Sequence, residues 1–259
     1  QRENGIFTYF PTTMTFDEER LTRVCEAIAV VASEDETVGG IYLEGPFISY
    51  EKRGAQNPAY IADPDNGMIR RLNAVSGGLV RFVAIAPEKE GAMECIREGS
   101  DAFKYSIAHT TADYDTAVRA IEAGAHHVTH LYNAMPPYSH RSPGVIGAAM
   151  ENTDVFVELI ADGIHIHPAV VRNTFRSFGP ERVILISDSC EAAGMEDGEY
   201  ELGGQQVFKK GRSATLADGT LAGSASNLMD CLTQAIMMGV PKEWAVRAAR
   251  SEEHTSELQ

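Results

Sequence analysis

The chain has 259 residues, 44% of them hydrophobic, which is enough for one large domain or two small ones with an apolar core. Its net charge of −15 disfavours a nucleic-acid partner, because an acidic surface repels a phosphate backbone. Four cysteines without paired spacing, no signal peptide and no 18-residue apolar stretch favour a cytoplasmic protein with reduced thiols and no membrane association.

Strand-like and helix-like segments alternate along the chain. Short apolar runs rich in β-branched residues predict seven strands, at 6–10, 40–43, 79–86, 103–108, 127–131, 155–161 and 183–187. Helical spacing of apolar residues predicts helices at 15–31, 113–122, 168–176 and 226–238. The first of these helices begins with a capping box of Thr15 and Glu18, and Gly124 ends the second.

This alternation favours a parallel sheet, and seven strands are one short of an eight-stranded barrel. We therefore predict an α/β fold of the (β/α)8 TIM-barrel type, lacking its first strand, over residues 1–249. Residues 199–220 are rich in Gly and in short alternating runs, which predicts a hairpin after the barrel. Residues 250–259 resemble a translated sequencing adapter and are predicted to be a non-native tail, with a natural disordered tail as the alternative.

Four polar residues follow the ends of predicted strands: Glu44, His109, His130 and Asp188. Two carboxylates and two imidazoles at the carboxyl ends of parallel strands are suited to a catalytic divalent metal and its general base. Each residue also has a simpler interpretation when taken alone. The carboxylates could be satisfied by the turns that follow them, and the histidines could be hydrogen-bonded structural residues.

Three further segments carry candidate binding residues. Arg141, in the loop after His130, suits phosphate but is equally compatible with a solvated loop. The stretch 162–167 contains His165 and His167, which could be a metal pair, a substrate contact or an exposed loop. Residues 221–224 precede a predicted helix, where Gly and Ser favour close approach of the backbone to a ligand or form a routine loop and cap.

Eight short strings occur in one order along the chain: LEGPF, KRGAQNP, AHTTADYD, THLYNAM, ADGIH, SDS, DGEYELGG and TLAGSA. Together they resemble the N-acetylglucosamine-6-phosphate deacetylases of the metal-dependent amidohydrolase superfamily, over about residues 5–249. The resemblance implies a β/α barrel with remnants of a small β-sandwich. It also implies hydrolysis of N-acetyl-D-glucosamine 6-phosphate to D-glucosamine 6-phosphate and acetate, in amino-sugar catabolism.

The resemblance implies roles for individual residues. Glu44, His109 and His130 match metal ligands, and Asp188 matches the catalytic acid and base. A homodimer is implied, because in this family the phosphate site draws on a neighbouring subunit. The positions that match substrate-binding residues are Ala55, Gln56, Asn133, Ala134, Arg141, His165, Leu221, Ala222, Gly223 and Ser224.

The sequence does not determine which metal is bound, how many ions there are, or which N-acetylated sugar phosphate is the substrate. The ligand types suit Zn or Fe, with Mn or Co as alternatives, and one or two ions per subunit are expected. The count is open because the family's first-strand segment, often His-x-His, would lie upstream of Gln1. Gln56 stands where many members have His, so it can donate a hydrogen bond but cannot carry a proton. Alternatives are another N-acetylated sugar phosphate as substrate, or a fragment that binds sugar phosphate without hydrolysing it.

Overall fold

The computed structural model describes residues 2–250 of the chain. Within them, six parallel strands form one sheet whose spatial order follows the sequence. The sheet curls into a half-barrel, and its strands are buried on both faces, which explains their continuous apolar sequences. The strands are β1 Ile41–Leu43, β2 Val80–Ile85, β3 Lys104–Ile107, β4 Ala125–Val128, β5 Phe156–Ile160 and β6 Val183–Ile186.

Six of the seven predicted strands are confirmed, but residues 6–10 do not form one. Instead, Tyr9 and Thr12 make isolated parallel bridges with Val38 and Tyr42. Pro11 explains the interruption, because proline has no N–H to donate to a ladder, although its carbonyl accepts the Tyr42 N–H at 3.1 Å. The segment therefore runs beside β1 without becoming a regular strand.

Helices fill the connections between the strands and continue after β6. The helices predicted at 113–122, 168–176 and 226–238 are confirmed, as is the one following Thr15. The N-cap of that first helix is Asp17, however, whose side chain accepts the Arg20 N–H, and not Thr15. The helices are α1 Glu18–Glu34, α2 Asn66–Val75, α3 Ala92–Gly99, α4 Tyr114–Ala123, α5 Gly144–Glu151, α6 Pro168–Phe178, α7 Leu228–Met237 and α8 Lys242–Ala249.

The main core lies between the sheet and these helices. Leu21 and Cys25 of α1, Ile69 of α2 and Ile96 of α3 are fully enclosed or nearly so, and pack in one cluster with the strand residues. Burial of this kind contributes roughly 1.5–3 kcal/mol per large aliphatic side chain. The core thus holds the strand ends, and the loops that follow them, in fixed relative positions. No described helix has the length and apolar surface needed to cross a bilayer.

A separate antiparallel sheet follows the half-barrel, where a hairpin was predicted at 199–220. It consists of β7 Gly198–Leu202, β8 Gln205–Lys210 and β9 Ser213–Thr215, so a third strand joins the hairpin. Gly203 and Gly204 both have positive φ, at 61° and 85°, as a tight two-residue hairpin turn requires. Val207 and Ala214 belong to a small second core under this sheet. The tail predicted at 250–259 lies, beyond Arg250, outside the described residues.

Candidate metal centre and active site

The four polar residues at strand ends lie along one edge of the half-barrel. Glu44 directly follows β1, whereas His109, His130 and Asp188 each stand two residues beyond β3, β4 and β6. His130 was expected inside a strand at 127–131, but β4 ends at Val128 and His130 lies in the turn that follows. The carboxyl ends of parallel strands meet at one edge, and this topology brings the four residues to one place.

Three of these residues have strained backbones. The φ angles of His109, His130 and Asp188 are 43°, 33° and 48°, in the left-handed region that costs a non-glycine residue of order 1–3 kcal/mol. Neighbouring strands hold the strained turns, since the N–H groups of Thr129 and Leu131 bond across to the carbonyls of Ile107 and Glu158. Such strain concentrates at functional sites, and here it directs the side chains away from the strand and into the site.

Glu44, His109 and His130 converge on a single point. The Nε2 atom of His109 lies 2.9 Å from Glu44 Oε1 and 3.1 Å from His130 Nε2. All three side chains are buried, and one potential ligand atom from each lies within 4.8 Å of the others. Two imidazole nitrogens facing each other beside a carboxylate match the donor set of a divalent cation. The residues therefore fit the metal that the sequence implies.

Hydrogen bonds from neighbouring residues orient two of these three side chains, His109 and Glu44. His109 Nδ1 lies 2.8 Å from the carbonyl of Lys52, and donation to that carbonyl leaves the Nε2 lone pair facing the site. Gln56 donates from Nε2 to Glu44 Oε1 at 2.8 Å and accepts the Thr15 N–H on Oε1 at 2.7 Å. These two bonds fix the direction of the Gln56 amide. The substrate contact that the resemblance implies for Gln56 stays a prediction.

The charges of the site are strongly coupled. Burial alone would raise the pKa of Glu44, but the two adjacent imidazoles hold it well below its usual range. Burial alone would lower the pKa of His130, yet the nearby Glu44 carboxylate raises it to about 9. Metal ligands must be deprotonated, so protons would compete with a cation for this cluster.

Asp188 lies beside this cluster, partly buried after β6. Burial and the negative charge of Glu44 raise its pKa to about 6. Its carbonyl accepts the Ser224 N–H at 2.7 Å, so the predicted binding segment 221–224 runs directly along it. Gly223 has φ +65°, and a Cβ there would come within 3.0 Å of the Asp188 carbonyl oxygen. This close approach explains why glycine stands at that position.

The other predicted binding residues are distributed around the same edge. Asn133 bonds to the His130 carbonyl through its backbone N–H at 2.9 Å, and the carbonyl of Ala134 accepts the Thr110 N–H at 3.0 Å. Arg141 is exposed in the loop between β4 and α5. The carbonyl of Ala55 accepts a bond from Gln205 of the small sheet. Leu221 bridges to Thr215 of β9, and Ala222 is buried beside it.

The second predicted histidine pair separates into two roles. The side chain of His165 is 5% exposed, and its Nδ1 atom lies 2.7 Å from Asp162 Oδ2. His167 instead caps α6, where its Nδ1 accepts the Ala169 N–H at 3.2 Å, so it points to the helix and not to a metal. The motif Asp162-Gly163 after a buried strand was the available signal for Asp162, which the sequence reasoning did not single out.

Glu158 is a second buried acid that the sequence reasoning missed. It lies within the apolar strand β5, is 1% exposed, and lines the interior beside Tyr42. Among the described residues, its Oε1 atom has no hydrogen-bond partner. Burial raises the pKa of Glu158 to about 8, and the charge of Glu44 adds to that effect. A glutamate in the middle of a buried strand was the available sequence signal.

A cleft of about 1950 Å³ runs between the segment 5–12 and the β6 edge of the sheet. Its lining includes Glu44, Glu158 and Asp188, together with Phe7 and Val246. The cleft lies on the open side of the half-barrel, between the first and last strands of the sheet.

A curled parallel sheet that presents a carboxylate and two imidazoles at its carboxyl edge defines a half-barrel of the β/α type with a candidate metal centre. A scan against models of protein families gave no match. The chain is 42% identical over 229 residues to N-acetylglucosamine-6-phosphate deacetylase of Bacillus subtilis, covering 86% of this chain and 58% of that protein. It is 36% identical over 227 residues to N-acetylgalactosamine-6-phosphate deacetylase of Escherichia coli O157:H7, covering 85% of this chain and 59% of that protein.

A solved structure gives the same result. A mutant of N-acetyl-D-glucosamine-6-phosphate deacetylase from Mycobacterium smegmatis, in complex with N-acetyl-D-glucosamine-6-phosphate, superposes with a TM-score of 0.90 at 37% identity. The match covers 94% of this chain and 65% of that one. These relatives and this solved structure are deacetylases of N-acetylated amino-sugar 6-phosphates, and the chain spans somewhat more than half the length of the curated relatives it matches.

Proposed function

We propose that this chain carries the active site of an enzyme that hydrolyses the acetamide of N-acetyl-D-glucosamine 6-phosphate, giving D-glucosamine 6-phosphate and acetate in amino-sugar catabolism. One observation carries the proposal. In a chain similar to these deacetylases, the ligand atoms of Glu44, His109 and His130 converge within 4.8 Å, with Asp188 beside them.

Glu44, His109 and His130 would hold the divalent cation, for which Zn and Fe are the leading candidates and Mn and Co the alternatives. When bound, the cation would supply Lewis-acid stabilisation of the carbonyl oxygen and lower the pKa of water. The chain prepares its own groups for this purpose. The Lys52 carbonyl fixes the His109 tautomer, and Gln56 orients the Glu44 carboxylate.

Asp188 would move the proton. A carboxylate whose pKa is raised to about 6 is a stronger base than an exposed one and also releases its proton readily at neutral pH. We infer that it accepts a proton from the attacking water and delivers it to the leaving nitrogen. The second Nε2 proton of Gln56, not used on Glu44, is available to the acetyl oxygen.

The remaining predicted residues would hold the sugar and the phosphate. Arg141 offers a guanidinium that suits a phosphate, and the strained turn at Asn133 and Ala134 presents backbone groups at the same edge. The segment 221–224 runs beside Asp188, and Asp162 joins His165 to that segment through Ser224. We propose that Ala55 completes the site from the loop after β1.

The test is acetate release from N-acetylglucosamine 6-phosphate by the metal-loaded chain. Turnover is expected for the unaltered chain and is expected to be abolished in Asp188→Asn, with metal still bound. A near-normal rate in that variant would exclude the role of Asp188. Saturable sugar-phosphate binding without acetate release by the unaltered chain would favour the non-hydrolytic alternative.

A second candidate substrate is N-acetylgalactosamine 6-phosphate, because a relative of that name is 36% identical to this chain. The two sugars are epimers, so comparison of their kcat/KM values decides between them. A higher kcat/KM on the galactosamine substrate would replace the first proposal, while the metal site and the role of Asp188 would stay the same.

We further propose that the protein works as a homodimer in the cytoplasm. The four cysteines are free and buried, as suits a reducing compartment. Sedimentation equilibrium tests the dimer, and a monomer at micromolar concentration would contradict it.

A further inference from the structure

Asp162 is a fully buried carboxylate that follows β5 and is absent from the roles above. Its Oδ1 accepts the N–H groups of Ile164 at 2.9 Å and His165 at 3.0 Å. Its Oδ2 lies 2.7 Å from His165 Nδ1 and accepts the Ser224 hydroxyl at 3.2 Å. Burial would raise its pKa, but the bonds from His165 hold that pKa below its usual range. Asp162 is therefore an anion whose two oxygens are both occupied.

This contact determines which nitrogen of His165 carries the proton. A neutral imidazole has one N–H, and a carboxylate 2.7 Å from Nδ1 draws that proton to Nδ1. In this tautomer of the neutral ring, Nε2 has a free lone pair and no proton. It can then accept a hydrogen bond from a hydroxyl group but cannot donate one to a phosphate oxygen.

The same carboxylate also connects the loops around the site. Ser224, which bonds to Asp162 through its hydroxyl, donates its N–H to the Asp188 carbonyl at 2.7 Å. Its own carbonyl accepts the Cys190 N–H at 2.9 Å. Asp162 thus joins the loop after β5 to the segment 221–224, and that segment is paired to the strand end that carries Asp188.

We propose that Asp162 is a positioning residue that fixes the Nδ1–H tautomer of His165, so that Nε2 accepts a hydrogen bond from a sugar hydroxyl. Phosphate recognition is then assigned to other groups. The identity of the sugar rests on the proposed function, whereas the tautomer is a property of the chain itself.

Nitrogen-15 NMR of the unaltered chain tests the tautomer directly, with the His165 signals assigned by their loss in His165→Gln. The expected result is that the neutral imidazole carries its proton on Nδ1 and none on Nε2. A His165 ring with a protonated Nε2 and an unprotonated Nδ1 would overturn the proposal. This measurement depends neither on activity nor on the folding of an Asp162 variant.

A matched pair of variants tests the consequence for binding. Asp162→Asn replaces an acceptor by an amide whose N–H favours a bare Nδ1, so we expect the His165 proton to move to Nε2. Binding of N-acetylglucosamine 6-phosphate, measured by calorimetry in the Asp188→Asn background so that no turnover occurs, should weaken about 10–100-fold, the range for loss of an orienting partner. Asp65→Asn is the control, because Asp65 caps α2 by accepting the Gly67 N–H at 2.7 Å and asparagine caps equally well.

Unchanged tautomer and affinity in Asp162→Asn would overturn the positioning role. If the unaltered chain binds no sugar phosphate, the proposed function fails, and the NMR result alone then decides the role of Asp162.

Discussion

Replacing Glu158 by glutamine should stabilise the metal-free protein at neutral and higher pH. The folded chain holds this carboxyl with a pKa of about 8, against 4.5 for the unperturbed group. Between these values the folded state binds the proton more strongly than the unfolded chain does. Stability contributed by Glu158 is therefore fully present below about pH 4.5 and is lost as the pH rises to about 8.

The size of this loss in stability follows from the difference between the pKa of Glu158 in the folded chain and its unperturbed value. At about 1.4 kcal/mol per pKa unit, it amounts to several kcal/mol and at most about 5 kcal/mol over the whole window. Glutamine has the same shape and does not titrate. Glu158→Gln should therefore lose less stability than the unaltered chain between pH 5 and pH 8.

Urea unfolding of the chelated proteins at several pH values measures the difference. The stability that His130 contributes also declines as the pH rises towards about 9, so the stability of both proteins depends on pH. Only the difference between their two profiles reports on Glu158. Glu122→Gln, the same change on an exposed position of α4, is the reference. Parallel stability profiles for Glu158→Gln and the unaltered chain would refute the reasoning.

Three further predictions follow from contacts in the site. Gln56→Leu removes the hydrogen bond to Glu44 and should lower metal affinity about 10–100-fold in a competition titration with a chelator. Unchanged affinity would contradict the role of Gln56 in orienting Glu44. Gly223→Ala should lower the free energy of unfolding, measured with urea, by about 1–2 kcal/mol for the positive φ and by a further amount for the clash with Asp188. Gly211→Ala has a similar φ but open space around it, so it should show only the cost of the positive φ. Chelation should lower the Tm of the unaltered chain but leave that of His109→Ala unchanged, and equal shifts would argue against binding at this cluster.

The position of the site was accessible from the sequence, because it depends on strand ends. A polar residue after each buried apolar run predicts a cluster once the strands are parallel, and Glu44, His109 and His130 do meet. The register within a strand was less accessible. His130 was expected on a strand face, but the backbone leaves the strand at Val128 and turns with φ 33°. Local propensity does not indicate such strain, which the surrounding bonds impose.

Long-range contacts explain the other differences. Thr15 has the capping-box spacing, yet its N–H bonds to the Gln56 side chain 41 residues away, and Asp17 caps α1 instead. The run at 6–10 has strand composition, but Pro11 removes a donor where the ladder would form. Asp162 owes its importance to Ser224, which is 62 residues away in the chain. Pairings of this kind are fixed by the folded topology and are not visible in local sequence.

Elemental analysis of the purified, dialysed chain tests the central claim most directly. The account predicts at least about one divalent metal ion per chain after exposure to Zn²⁺ or Fe²⁺, and its loss in His109→Ala and His130→Ala variants that remain folded. An unaltered chain that retains no metal, or variants that retain it in full, would contradict the assignment of Glu44, His109 and His130 as the metal centre.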